Sequence, residues 1–260
     1  MKIFDSHAHL QDSRISCYCT GILERAAGSG VCRILCCGSN EEDWGEVAGL
    51  YEKYPDYIIP AFGIHPLYVH TLSDHWFKKL NELLDNYPCA AVGEIGLDGE
   101  KKDRDYQRQR DIFRMQMNSA VLHNRPVSLH CRNAWLDLQR IVLESGVPAC
   151  GGAVHSWSGS AEMVQIMIKN NLSISFSGAI TNEKNKKGVR ALLQVPAEKL
   201  LVESDTPDLP PSQKKFPNEP SYINETIKKI AELRMVTDVE IARQTFENAC
   251  RIFCKHNNKL

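Results

Sequence analysis

The stretch Ile3-Phe4-Asp5-Ser6-His7-Ala8-His9 carries the pattern that the rest of the chain repeats. Its short apolar opening, 3–4, is typical of a strand, and two histidines follow at the strand's end. Side chains alternate between the two faces of a strand, so His7 and His9 are expected to point the same way. Two imidazoles on one face can bind one divalent cation. A single His-x-His pair often arises by chance, so the prediction of a metal site depends on further ligands later in the chain.

Apolar runs typical of strands alternate with amphipathic stretches typical of helices along the whole chain. After the first strand, further strands are predicted at 31–37, 57–64, 89–93, 127–129, 149–154, 172–176 and 199–203. Helices are predicted at 22–27, 43–54, 74–86, 104–123, 135–144, 161–169, 188–193, 222–233 and 238–254. This alternation indicates parallel strands joined by right-handed crossovers.

Eight strand–helix units in about 250 residues have the size of a TIM (β/α)8 barrel. A doubly wound open sheet is the competing α/β architecture, and it would gather its polar functional residues at one switch point. Here such residues end strands one, four, five, six and eight, which favours the barrel because its active site lies at the carboxyl ends of the strands. The predicted fold class is therefore α/β, a TIM barrel of the metal-dependent hydrolase type, as a single domain over 1–260.

Composition narrows the class of protein. The 260 residues are 43% hydrophobic and 24% charged, with a net charge of −1, so the chain as a whole does not attract polyanions. No apolar run reaches the length of a membrane span, and the polar end of the first strand follows without a basic and apolar leader pattern, so no signal peptide is expected. Many of the ten cysteines lie in or beside apolar runs, which predicts buried thiols in a reducing compartment. The cytoplasm is the predicted location, with the nucleus as an alternative, and no membrane partner is expected.

Residues able to bind metal ions gather at the predicted strand ends. They are His7, His9, His65, Glu94, His130, His155 and Asp205. Imidazoles and carboxylates suit borderline divalent ions, and a carboxylate such as Glu94 can bridge two of them. Taken singly, His130 could be a hydrogen-bonded core histidine and Asp205 a helix cap. Their shared position at one end of one barrel favours a metal site.

Seven blocks of sequence, in order along nearly the whole chain, resemble the TatD-type metal-dependent deoxyribonucleases, a branch of the amidohydrolase-like barrels. The blocks are 4–9 (FDSHAH), 63–66 (GIHP), 93–98 (GEIGLD), 129–134 (LHCRNA), 155–159 (HSWSG), 203–207 (ESDTP) and 218–220 (NEP), and 245–249 (TFENA) also resembles the family's last helix. Three departures from the family pattern bear on the pocket wall: Gly99 follows Asp98, Ser156-Trp157 replaces a common Cys-Phe, and Asp208 stands where an apolar or aromatic residue is usual.

The resemblance implies two divalent ions, Mg²⁺, Mn²⁺ or Zn²⁺. His7, His9, Glu94 and Asp205 would bind one ion, and Glu94 would bridge to a second ion bound by His130 and His155. His65 and Arg132 would contact substrate phosphate. The implied activity is a 3′–5′ deoxyribonuclease acting on DNA, at single-stranded ends, by phosphodiester hydrolysis with a metal-activated water. Asp205 is the candidate base and Glu94 the second catalytic residue.

Two other functions remain open on the sequence. The same cage could hydrolyse ester or amide bonds, aminoacyl-tRNA being one target, or the chain could be a metal-containing interaction protein. Lysines that could guide a nucleic-acid backbone, or simply be solvated, are Lys101, Lys102, Lys184, Lys186, Lys187, Lys214 and Lys215. Trp157 could stack on a base or pack the pocket wall. No role is assigned to Asn218 and Glu219.

Overall fold

A computed structural model describes residues 1–100 and 105–254 of the chain. The described residues form an eight-stranded sheet in which every strand pairs in parallel with the next one along the chain. The strands are β1 (Ile3–Ala8), β2 (Val31–Cys37), β3 (Ile58–Phe62), β4 (Ala91–Asp98), β5 (Val127–Arg132), β6 (Gly152–Val154), β7 (Leu172–Phe176) and β8 (Leu200–Val202).

Helices follow the strands as the alternating pattern predicts. They are α1 (Cys19–Gly28), α2 (Trp44–Lys53), α3 (Trp76–Asn86), α4 (Tyr106–Leu122), α5 (Trp135–Ser145), α6 (Ala161–Lys169), α7 (Lys186–Leu192), α8 (Ile223–Arg234) and α9 (Asp238–Phe253). Some helix starts are fixed locally: the Ser160 side chain accepts a hydrogen bond from the Met163 N–H, and Thr237 does the same for Glu240.

The sheet closes where the end of β1 meets the segment that follows β8. Ala8 forms a parallel bridge with Thr206, and the His9 N–H donates to the Thr206 carbonyl at 2.8 Å. The Asp205 N–H donates to the His7 carbonyl at 3.0 Å. The predicted TIM barrel is therefore confirmed, and its closure places two segments with candidate ligands side by side.

Side chains fill the barrel interior as a packed core. One buried cluster joins inward-facing residues of several strands, among them Phe4 and Leu35, to the end of α9. The rings of Phe4 and Phe253 lie 6.0 Å apart, so α9 packs directly against the interior. A larger cluster lies between the strands and the surrounding helices. No disulfide joins any of the ten cysteines, all of which lie within the described ranges. In the same ranges, no helix combines the length and the hydrophobicity that a membrane span requires.

Two strand boundaries differ from the prediction in a way that matters for the site. The fourth strand was expected at 89–93, with Glu94 beyond its end, but β4 runs through Asp98. The fifth was expected at 127–129, but β5 includes His130 and Arg132. Polar residues inside these strands broke the apolar pattern on which the prediction depended. Glu94 and His130 consequently stand within their strands, although the backbone at Glu94 is irregular, with a cis peptide bond to Gly93 and a shift in the pairing register between Val92 and Ile95.

Candidate metal centre

Glu94 lies at the middle of a buried cluster of histidines. Its carboxylate is 3% exposed, and its two oxygens face two different pairs of imidazoles. Oε2 lies 3.3 Å from His7 Nε2 and 3.1 Å from His9 Nε2. Oε1 lies 2.8 Å from His130 Nδ1 and 2.7 Å from His155 Nε2. One carboxylate therefore presents one oxygen to each pair, which is the arrangement that a bridging ligand requires.

Asp205 joins the cluster from the segment after β8. Its carboxylate lies with nitrogens of His7 and His155 in a group whose ligand atoms are all within 4.8 Å of one another. The rings of these two histidines are stacked, with centroids 3.9 Å apart. The backbone of Asp205 has a φ of 60°, a left-handed conformation that aspartate adopts more readily than most residues. Two further groups of this kind exist among the described residues: His7, His9 and Glu94, and His65, Glu94 and His130.

The outward nitrogens of His7 and His9 have neutral partners. His7 Nδ1 lies 2.9 Å from the Ser128 hydroxyl oxygen, and His9 Nδ1 lies 2.7 Å from the Cys37 carbonyl oxygen. A carbonyl only accepts hydrogen bonds, so Nδ1 of His9 carries a proton, and when the ring is neutral the lone pair of Nε2 faces the cluster. Partners of this kind fix the tautomer of a metal-binding histidine.

The outward nitrogens of His130 and His155 instead face carboxylates. His130 Nε2 lies 3.6 Å from Asp98 Oδ2, and His155 Nδ1 lies 3.5 Å from Glu203 Oε1. Both carboxylates are buried, Glu203 completely. Neither Asp98 nor Glu203 is predicted as a functional residue from the sequence. Their place inside the blocks that also hold Glu94 and Asp205 was the signal that could have identified them.

A third buried carboxylate, Asp5, fixes the segment that carries Asp205. It accepts hydrogen bonds from the Ser204 N–H at 2.8 Å and from the Ser204 hydroxyl at 2.5 Å. Burial raises the pKa of Asp5 to about 7, against the effect of these hydrogen bonds. The first acidic residue of the opening motif thus orients the residue before Asp205.

Burial and mutual contact perturb the titration of the whole cluster. Burial alone would raise the pKa of Glu94, but the imidazoles around it, His155 first, hold that pKa well below its usual range. Burial would lower the pKa of His155, but the charge of Glu94 and a hydrogen bond to Glu203 raise it well above its ordinary value. For His9, Glu94 outweighs burial and raises the pKa to about 9. Without a metal ion, protons on histidine therefore compensate the buried negative charge.

This chemistry fits divalent cations. Buried carboxylates are unfavourable without a compensating cation, and the cluster offers imidazole nitrogens and carboxylate oxygens within coordinating reach of common points. The residues that the sequence predicts as ligands come together here: His7, His9, Glu94, His130, His155 and Asp205. The roles of the individual ligands stay predictions.

His65 lies beside the cluster in a different state. Its Nδ1 accepts a hydrogen bond from the Leu67 N–H at 3.1 Å, and its Nε2 lies 3.5 Å from Glu94 Oε1. Burial lowers the pKa of His65 to about 3, so the ring is neutral. A neutral ring whose Nδ1 accepts must carry its proton on Nε2. His65 is therefore a hydrogen-bond donor towards the centre, which suits the predicted contact with substrate phosphate.

Arg132 stands at the rim of a cleft of about 670 Å³ above the centre. Its side chain is 55% exposed, and its Nε forms an ion pair with Glu100 Oε2 at 3.1 Å. The cleft is lined by loops on every side of the barrel mouth, including Asp12, Arg14, Ser39, Tyr68, Asp98, Ser156, Trp157, Asn185, Lys187 and Asp208. Among the described lysines of the predicted rim, Lys187 lines this cleft and donates to the Ser158 carbonyl at 2.7 Å. Lys101 and Lys102 lie outside the described residues.

The contacts of Trp157 and Asn218 indicate structural roles, which the sequence alone did not decide. Trp157 is only 5% exposed and packs on Trp135, with ring centroids 4.5 Å apart, so packing of the pocket wall is its main contact. The Asn218 amide donates to the carbonyls of Ser204 and Asp208, at 2.6 Å and 2.8 Å. It thereby ties together the loop after β8.

Glu219 anchors the same loop to the outside of the barrel. Its carboxylate accepts hydrogen bonds from the Arg25 guanidinium, at 2.7 Å for the shortest, and from the Ser221 hydroxyl at 2.6 Å. Arg25 belongs to α1, so this contact fixes the loop against the first helix.

Comparison with known proteins agrees with this geometry. The sequence profile of the family described as TatD related DNase matches residues 4–254. An uncharacterized metal-dependent hydrolase of Bacillus subtilis, YabD, is 35% identical over 254 residues, which cover 96% of this chain and 98% of that protein. A protein of Pectobacterium atrosepticum named 3′-5′ ssDNA/RNA exonuclease TatD is 30% identical over 259 residues, with 96% and 99% covered. The crystal structure of YjjV, a TatD homologue from Escherichia coli K12, superposes with a TM-score of 0.92 at 29% identity, with 97% and 98% covered.

Proposed function

Because the chain belongs to the TatD-related DNase family of metal-dependent hydrolases, we propose that it hydrolyses phosphodiester bonds of single-stranded nucleic acid, one nucleotide at a time from the 3′ end. The observation that carries the proposal is the placement of Glu94, whose two oxygens each face a separate pair of histidines. The name of the Pectobacterium relative supports the substrate class and the polarity. A cytoplasmic or nuclear location stays a prediction.

Two ions fit this arrangement. His7, His9 and Asp205 would bind one, His130 and His155 the other, and Glu94 both. Mg²⁺, Mn²⁺ and Zn²⁺ are the candidates, since mixed imidazole and carboxylate ligation admits all three. When bound, such ions lower the pKa of water and compensate the charge of a phosphodiester.

Asp205 is the proposed general base. Burial raises its pKa, which makes its carboxylate a stronger proton acceptor than a solvated aspartate. Its backbone is held from both sides, through its own N–H to the His7 carbonyl and through the Asp208 N–H to its carbonyl. A base fixed in this way needs no rearrangement to take the proton of the attacking water.

His65 and Arg132 would position the phosphate. His65 offers an Nε2–H beside Glu94, and this donor is held in place by the hydrogen bond that Nδ1 accepts. Arg132 presents a planar guanidinium from the end of β5, where its pairing with Glu100 is half exposed and open to exchange for phosphate. The two donors would stabilise the negative charge that develops on the phosphoryl oxygens.

The test is degradation of 5′-labelled single-stranded DNA and RNA by wild-type protein and Asp205→Asn, with each metal restored after EDTA. Asp111→Asn is the matched control, since Asp111 is exposed on α4 and pairs with Arg114. We expect wild type and control to give ladders that shorten from the 3′ end, and Asp205→Asn to be slower by about 10²–10⁴-fold. The proposal would be refuted if folded wild-type protein that has bound metal leaves the nucleic acid intact with every metal tested.

That negative result would favour the alternative activity, hydrolysis of aminoacyl-tRNA or of other ester or amide substrates at the same site. A separate variant, Glu94→Gln, tests for a role without chemistry. A cellular function that survives this substitution would point to an interaction protein.

A further inference from the structure

One wall of the cleft consists of an arginine held between two aspartates. Arg14 follows β1, and it donates to Asp12 Oδ1 from Nε at 2.8 Å and to Asp12 Oδ2 from Nη2 at 2.7 Å. The same guanidinium donates to Asp208 Oδ1 from Nη1 at 2.9 Å and to Asp208 Oδ2 from Nη2 at 2.7 Å. We call Asp12, Arg14 and Asp208 the clasp. It joins the loop after β1 to the loop after β8.

Arg14 has little capacity left to bind a phosphate. Four of its five N–H groups are used by the two carboxylates, and its Cζ lies 5.6 Å from the ring centroid of Phe216. Two negative charges against one positive charge leave the clasp with a net charge of −1. Both carboxylates still have unused lone pairs, because each accepts only a few of the hydrogen bonds that a carboxylate can take. The clasp is therefore an acceptor surface that repels phosphate.

The clasp adjoins the reaction centre on one side only. The Asp12 N–H donates to the His9 carbonyl at 3.1 Å, and the Asp208 N–H donates to the Asp205 carbonyl at 2.8 Å. Each aspartate of the clasp thus stands one turn beyond a candidate ligand. The cationic rim residues contact other segments: Arg132 ends β5, which is opposite β1 in the strand order, and the Lys187 ammonium donates to the Ser158 carbonyl in the segment after β6.

Counted in the same way, Arg132, its partner Glu100 and Lys187 have a net charge of +1, so the cleft has a cationic side and an anionic side. A nucleic-acid backbone carries a charge at every phosphate, so it is favoured on the side of Arg132 and Lys187 and disfavoured at the clasp. The last nucleoside of a strand ends in a 3′ hydroxyl and carries no further phosphate. A hydroxyl donates a strong hydrogen bond to a carboxylate. The end of a strand therefore matches the clasp, and the interior of a strand does not.

We propose that the clasp is the end wall of the cleft, with Asp208 accepting a hydrogen bond from the 3′ hydroxyl of a strand and excluding a 3′ phosphate or a continuing chain. The inference rests on the proposed nuclease function and deepens it by naming the substrate's end group. Asp208 is a specificity-determining residue in this account.

The experiment compares three single-stranded DNA substrates: a 5′-labelled strand with a 3′ hydroxyl, the same labelled strand with a 3′ phosphate, and an internally labelled circle of the same sequence. Proteins are wild type, Asp208→Asn, the double variant Asp12→Asn/Asp208→Asn, and Glu247→Gln as the control. Glu247 forms an exposed ion pair with Arg243 on α9, away from the clasp, at 3.1 Å. The readout is the ratio of rates on the hydroxyl and phosphate ends, which a purely structural role of the clasp would not change.

We expect wild type and Glu247→Gln to prefer the hydroxyl end by about tenfold or more and to leave the circle intact. Asp208→Asn makes the clasp neutral, so the ratio of the rate on the hydroxyl end to the rate on the phosphate end should fall by about tenfold. In the double variant Arg14 has no negative partner, so this ratio should fall further or drop below one. Equal wild-type rates on both ends, or an unchanged ratio in both variants, would overturn the inference while leaving the nuclease proposal intact. No wild-type degradation of the hydroxyl-ended strand with any metal would instead refute the nuclease proposal itself.

Discussion

Replacing Glu203 with glutamine tests whether a residue outside the candidate ligands controls metal affinity. Glu203 is completely buried, and its Oε1 faces His155 Nδ1 at 3.5 Å and accepts the Ser156 N–H at 2.5 Å. Glutamine has nearly the same size and shape. The substitution therefore removes the negative charge behind His155 without opening a cavity.

The expected magnitude follows from the loss of the carboxylate charge beside His155 Nδ1. Hydrogen bonds to charged groups contribute about 1.5–3 kcal/mol, against about 0.5–1.5 kcal/mol for neutral ones. The contact between Glu203 and His155 is long, at 3.5 Å, so we take only the difference between the matching ends of these two ranges, about 1–1.5 kcal/mol. That difference corresponds to roughly 5–10-fold in affinity, near the lower end of the roughly 10–100-fold effects known for residues behind metal-binding histidines.

The assay is calorimetric titration of metal-free protein with Mn²⁺ and with Zn²⁺, for wild type, Glu203→Gln and Glu247→Gln. The control removes the same charge from an exposed pair, so its affinity should match wild type. We expect Glu203→Gln to weaken the ion bound by His130 and His155 more than the other ion. A folded variant whose metal affinity lies within about twofold of wild type would refute the reasoning, because roughly 5–10-fold is expected.

Three further predictions concern the centre and the wall of the cleft. The pKa of His9 is raised from 6.5 to about 9 in the folded chain, so protonated His9 stabilises the metal-free protein. This stabilisation is complete below pH 6.5 and is lost as the pH rises through about 9. The melting temperature of metal-free wild type should therefore fall between pH 7 and 9.5, and Glu94→Gln should flatten this fall; a wild-type profile that is level over that range would contradict the pKa. Restoring a metal at about 100 times its Kd after EDTA treatment should add about 2.7 kcal/mol to the free energy of unfolding, measured in urea, and no added stability would show that the folded chain does not bind it. Trp157→Ala should lower the free energy of unfolding by about 3–5 kcal/mol because Trp157 is buried against Trp135. If Trp157 instead stacks on a base, the variant should lose nucleic-acid affinity with little change in the free energy of unfolding.

The strands and the candidate ligands could be read from the sequence because their signals are local. Apolar runs mark β1, β2 and β7 at or near their observed bounds, and the ligands follow or end such runs. The boundaries of β4 and β5 were wrong, since polar residues inside a strand interrupt the apolar pattern even where the backbone continues. Glu94 and His130 are such residues: their side chains serve the centre while their backbone completes the sheet.

Residues that act through another residue were harder to predict. Asp98 and Glu203 carry no motif of their own beyond the blocks in which they stand, and their role depends on which ring nitrogen of His130 and His155 they face. The alternation rule for His7 and His9 needed only two neighbouring positions on one strand. The tautomer of His9 needed the carbonyl of Cys37, which comes from the next strand.

The sequence by itself determined the barrel, through the alternation of strand and helix signals, and the set of side chains available to bind metal ions. Those features depend on periodicity and residue type within a few neighbouring positions. Only the tertiary structure decided that the two oxygens of Glu94 face different pairs of histidines, and that Arg14 is held by an aspartate 194 positions away. The physical reason is the closure of the barrel, which brings the ends of β1 and β8 together and turns separate loops into one cleft.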